Sequence, residues 1–213
     1  MKPASATDES LRRPDGDDDS GVEGNARLTA ANGTLLIALL AVEGFTVLNV
    51  RGLITLHVFV GVLLIGPVLL KTASTMYRFT RYYLDKPEYV RRGPPHPVLR
   101  LIGPLVVLSS LAVLGTGVGL LAVQPGEGIL LTLHKASFVV WFGLMSVHVL
   151  GHLREALVST WHELTEQSSR QRLRLAGIVL ALLVGVGAAT ILLPSAHQWT
   201  HRSPDIGQHR HDR

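Results

Sequence analysis

Three histidines lie inside long apolar runs: His57 in LITLHVFVGVLL, and His134 with His148 in GILLTLHKASFVVWFGLMSVHVLGHL. The last two are fourteen residues apart, almost four full helical turns, so their imidazoles leave one face. That spacing covers about 21 Å of helix axis, much of the ~30 Å depth of a hydrocarbon core. Histidine is costly in such surroundings and, where it occurs, marks a functional path or a ligand site. Imidazoles held at chosen depths on apolar helices are what axial ligation of a haem iron requires, and that is the chemistry these spacings suggest.

The rest of the sequence says what must position them. Of 213 residues, 47% are hydrophobic and only 17% charged, against about 25% charged in an average soluble domain. The charges gather in polar blocks between apolar runs, so the chain reads as an integral membrane protein. It has no cysteine, which excludes disulfides, iron–sulfur clusters and thiolate catalysis. The net charge of +4 comes from basic residues that flank apolar segments, and it points to no nucleic-acid partner.

Five segments are long enough to span, at approximately 33–50, 53–77, 97–123, 128–153 and 173–193. Pro67 and Pro104 fall inside the second and third, where membrane helices tolerate a kink. Residues 1–31 lack the basic start and apolar core of a signal peptide, carry Asp17, Asp18 and Asp19, and read as a disordered polar tail. Residues 32–194 form the membrane bundle, and residues 195–213 a polar tail with His197, His201, His209 and His211.

Short turns at Asn49–Gly52 and Gln124–Gly128 force antiparallel neighbours. The expected fold is therefore all-α, an up-down bundle of four core transmembrane helices with a fifth appended. Loops rich in Arg and Lys follow segments two and four, while the two tight turns hold only Arg51. The positive-inside rule then puts the amino terminus in the cytoplasm and the carboxy terminus outside a bacterial cytoplasmic membrane.

In that topology His57 and His134 each lie about one turn in from the outer face, on two helices that enter from the same side. Neutral imidazoles placed so can clamp a haem iron from both faces. Gly61, one turn below His57, is expected to leave room for the ring. Arg51 and Lys135 near the outer end can pair with haem propionates. Glu43 stands alone in segment one and can orient an axial imidazole by accepting its free N–H, or carry a proton. His148, near the opposite end, is a candidate ligand for a second haem. His152 shares its face, His96 lies in the Pro-rich loop before segment three, and fourteen residues below His57 stands Lys71. Gly115, Gly117 and Gly119 form a small-residue seam suited to close helix packing.

These residues resemble the four-helix di-haem cytochrome b family, the membrane subunits of respiratory formate dehydrogenases and nickel–iron hydrogenases. The likeness covers roughly residues 33–157 and rests on the segment-two histidine and the spaced pair in segment four. It implies that His57 and His134 hold an outer haem b, and that His148 holds an inner one with a histidine from segment one. Segment one here contains no histidine. The resemblance also implies a non-catalytic electron-transfer subunit working between quinone or quinol and a partner redox subunit. Two other classes fit the same residues: a haem-free membrane anchor or assembly subunit, and a small proton-coupled transporter using Glu43, His148 and His152.

Overall fold

The computed structural model describes residues 16–90, 97–123, 128–165 and 169–200, and every regular element in them is helical. In chain order these are α1 (Gly16–Leu48), α2 (Val50–Leu63), α3 (Ile65–Tyr83), the single turn α4 (Pro87–Val90), α5 (Pro97–Ala122), α6 (Ile129–Thr165) and α7 (Ser169–Thr200). With α2 and α3 read together, five stretches are long and apolar enough to cross a membrane. The protein is an all-α membrane bundle. Large apolar side chains such as Phe45, Leu101, Val139, Phe142, Leu150 and Ile191 stand on its outside, as a lipid solvent allows and water does not.

α1 packs along α6 and along α2 and α3, and α5 packs along α6. α7 lies against α2 and α3. The turn after α1 is built by Asn49, whose Oδ1 accepts the amide N–H of Gly52 at 3.2 Å, so the chain reverses within a few residues. The counterpart turn at 124–127 and the loop with His96 lie outside the described residues.

Residues 16–31, read from composition as a disordered tail, belong to α1. Their polar side chains find partners on α3. Asn25 donates to the carbonyl of Ser74 at 3.1 Å, Thr29 bonds the Ser74 hydroxyl at 2.9 Å, and the Lys71 ammonium donates to the Thr29 carbonyl at 2.7 Å. Arg27 pairs with Glu23 one turn back at 2.9 Å. Val22 is buried, so this stretch is a packed helix and not a tail. At the other end the helix continues past the expected boundary, with α7 reaching Thr200.

Pro67 breaks the second span. A proline has no N–H to return to the carbonyl four residues earlier, here that of Leu63, and the helix divides at Leu64 into α2 and α3. The exposed backbone is covered by α7. A Cβ on Gly185 would collide with the Leu63 carbonyl oxygen, and one on Gly66 with the carbonyl oxygen of Ala181. Both glycines exist to let two backbones touch, the small-residue device of membrane helix pairs. On the opposite side Asn32, only 1% exposed, donates to the carbonyl of Pro67 at 2.8 Å. The break is thus held between α1 and α7. Pro104 leaves α5 a single helix.

Gly66→Ala and Gly185→Ala should each cost about 1–3 kcal/mol of stability, the usual penalty for overpacking. This exceeds the gain of about 1 kcal/mol in helix propensity from glycine to alanine. Gly177→Ala, whose methyl meets nothing within 4 Å, should hold or raise stability. Thermal unfolding of the three variants in one detergent, followed by loss of helical signal, checks the contrast.

Candidate functional site

His57 leaves α2 toward α1, where two residues receive the same ring atom. Its Nδ1 lies 2.9 Å from Oε1 of Glu43 and 2.9 Å from the hydroxyl of Thr46. Thr46 is fully buried, and its own hydroxyl donates to the Glu43 carbonyl one turn back at 2.6 Å. Glu43 and Thr46, three apart on α1, share a face, which lets both reach one imidazole. The carboxylate and the ring are mostly enclosed, with side-chain exposures of 15% and 20%. An intramembrane carboxyl group needs a polar partner within the protein, and the His57 ring stands within reach of it.

His134 leaves α6 toward α5 and is met in the same manner. Its Nδ1 is 3.1 Å from the hydroxyl of Thr116, which in turn donates to the carbonyl of Ala112 at 2.7 Å. A Cβ on Gly117 would stand 3.2 Å from Cε1 of the ring, so this glycine is the floor on which His134 lies. Two turns further along α6, Trp141 donates to Ser110 of α5 at 3.0 Å and fixes the two helices in register.

The two imidazoles meet edge to face, with ring centroids 6.4 Å apart and planes at 76°. They come from helices on opposite sides of the bundle: α6 packs on α5 and α1, whereas α2 packs on α7 and α1 and only lightly on α5. In both rings it is Nδ1 that is tied to the protein, and neither Nε2 has a hydrogen-bond partner among the described residues. The fold thus brings His57 and His134 together from two helices.

Other expected contributors fall differently. Gly61, expected to make room for a flat ring, stands over Glu43 instead, where a Cβ would lie 3.3 Å from Oε1. What its missing side chain admits is the carboxylate. Arg51 and Lys135 are exposed at the end of the bundle that carries the α1–α2 turn. His148 lies at the other end, its ring centroid 4.9 Å from that of His152 on the same helix. Lys71 of α3 is close enough to act on it electrostatically. The Nδ1 of His148 is buried without a hydrogen-bond partner, as is Oδ1 of Asn32 on α1. Among the described residues no histidine of another helix stands opposite His148, so these residues do not make a second bis-imidazole site.

Thr46 and Thr116 escape a reading of the sequence, since threonine inside a membrane helix is common and usually bonds its own backbone. The available signal was Thr46 one turn from the lone Glu43, and Thr116 between two glycines of a packing seam. No group of three or more His, Cys, Asp or Glu among the described residues is arranged to hold a metal ion. Comparison with known proteins returns no matching family profile, no matching curated protein and no matching solved structure.

Gly117→Val should push His134 from its floor and destabilise the α5–α6 pair by about 1–3 kcal/mol. Gly115→Val, which opens on free space, should be near neutral. Equal melting temperatures for the two variants would remove Gly117 from the site.

Proposed function

We propose that the chain is a membrane-bound b-type cytochrome that holds one haem between His57 and His134 and passes electrons between a quinone or quinol and a partner redox subunit. The observation that carries the reading is the pair of opposed imidazoles, each tied at Nδ1 and each with Nε2 left over. A metal–imidazole bond is about 2 Å; two such bonds plus two ring radii separate the ring centroids by about 6 Å, and the observed value is 6.4 Å. A haem would bring ring nitrogens of its own, so His57 and His134 would suffice to hold it where a bare metal ion would need three or four protein ligands.

Haem, when bound, supplies a one-electron couple. The chain's own residues do the remainder. His57 and His134 would hold the haem through their Nε2 atoms, and the group so held would serve electron transfer. Helices α2 and α6, on opposite sides of the bundle, provide the two faces. Glu43 and Thr46 orient one ring and Thr116 the other. Apolar side chains around them exclude water. Arg51 and Lys135, at the same end of the bundle, are placed to meet propionates. In this reading the basic loops lie on the cytoplasmic side of a bacterial membrane and the His57–His134 end lies outside. His148 takes no part in the haem so held; a second haem at the opposite end would need a partner ligand that no histidine among the described residues supplies, and Lys71 of α3 is a candidate there.

The purified chain in mild detergent should show a reduced b-type α-band at one haem per chain by pyridine haemochrome. His57→Ala and His134→Ala should each lose it, and His148→Ala should keep it. A colourless preparation after expression with a haem precursor would sink the cytochrome and leave the haem-free anchor. Two haems per chain, with one lost in His148→Ala, would make Lys71→Ala the next variant.

A further inference from the structure

The hydroxyls of Thr46 and Thr116 each have one hydrogen, and each has a helix carbonyl close by. Thr46 Oγ1 lies 2.6 Å from the Glu43 carbonyl oxygen, against 2.9 Å to His57 Nδ1. Thr116 Oγ1 lies 2.7 Å from the Ala112 carbonyl oxygen, against 3.1 Å to His134 Nδ1. A hydroxyl that has given its hydrogen to a backbone carbonyl one turn back can only accept from the ring beside it. Nδ1 of His134 must then be the protonated nitrogen. At His57 the same conclusion follows twice, because a carboxylate oxygen of Glu43 also accepts from Nδ1. A neutral imidazole protonated at Nδ1 carries its lone pair on Nε2.

We propose that Thr46 and Thr116 are a matched pair of positioning residues that lock His57 and His134 as Nδ1–H tautomers, with both Nε2 lone pairs presented for one metal centre. The same device is built twice, on α1 and on α5, in unrelated local sequence. A threonine that merely satisfied a buried ring would have no reason to leave the same nitrogen bare on both partners. The two sides differ in strength. His57 has two side-chain acceptors, one of them a carboxylate, whereas His134 has one neutral hydroxyl, with the Val113 carbonyl as a further backbone partner of its ring. Loss of Thr116 should therefore loosen its ring, while loss of Thr46 leaves the Glu43 carboxylate in place. This assignment of ligand atoms rests on the cytochrome reading, but the tautomers do not.

The test uses the full chain, labelled with ¹⁵N-histidine and prepared without haem in detergent, at a pH where the rings are neutral. Long-range ¹H–¹⁵N spectra assign the protonated nitrogen of each ring. Both His57 and His134 are expected as Nδ1–H. Thr116→Val should move His134 toward the Nε2–H form, and Thr116→Ser should restore it. Thr46→Val alone should leave His57 unchanged, and Thr46→Val with Glu43→Leu should release it. In the haem-loaded chain Thr116→Val should raise the dissociation constant for haem and alter the low-spin electron paramagnetic resonance, again with recovery in Thr116→Ser. An Nε2–H ring at either position in the unsubstituted chain overturns the proposal, whatever happens with haem. The expected tautomers without haem binding overturn the cytochrome reading and leave the lock standing. Unchanged haem affinity and resonance in a Thr116→Val chain whose tautomer has shifted overturn the positioning role.

Discussion

A carboxyl group inside a membrane span, about a turn and a half from the end of its helix, has little water to turn to. Glu43 resolves this by meeting the Nδ1 of His57, and that contact organises the bundle around it. It requires α1 and α2 to run side by side, which the Asn49 turn provides. It requires Gly61 to have no side chain, because Oε1 occupies that space. It also draws Thr46 into full burial. Polar groups in lipid must be satisfied within the protein, and a small number of such obligations can fix the register of helices whose apolar faces would slide past one another almost freely.

The opposite wall is built by other means. Helices α5 and α6 are fixed by Thr116 with His134 and by Ser110 with Trp141, both pairs of polar side chains reaching between neighbours. Helix α7 uses no polar contact at the break in the second span, where close backbone approach at Gly66 and Gly185 does the work. Packing and hydrogen bonding thus divide the bundle between them. The polar ties cluster about the two imidazoles and around Ser74, and the tight apolar crossing lies midway between.

Much of this was legible beforehand. The five spans follow from hydropathy and length, and the antiparallel order follows from the shortness of the turns. The pairing of His57 with His134 follows from counting residues inward from those turns, and Glu43 announces itself as the lone acid of its segment. The start of α1 was not legible, because Asn25, Thr29 and Lys71 look like surface residues until the chain is folded and their partners on the facing helix are known. The division at Leu64 was signalled by Pro67, but the same residue type leaves α5 continuous at Pro104. The role of Gly61 was misjudged since a missing side chain says only that something approaches, not what.

The crossing at Gly66 and Gly185 bears on how the protein is made. Helix α7 follows the other described helices out of the ribosome, yet it covers the Leu63 carbonyl of the helix that bears His57. Until α7 arrives, that oxygen has neither a helical donor nor a neighbour, in a solvent that offers none. The site between α2 and α6 is therefore finished late, after every residue that lines it is already in the membrane. A ribosome that stalled after α6 would leave a bundle with His57 and His134 in place and no back wall.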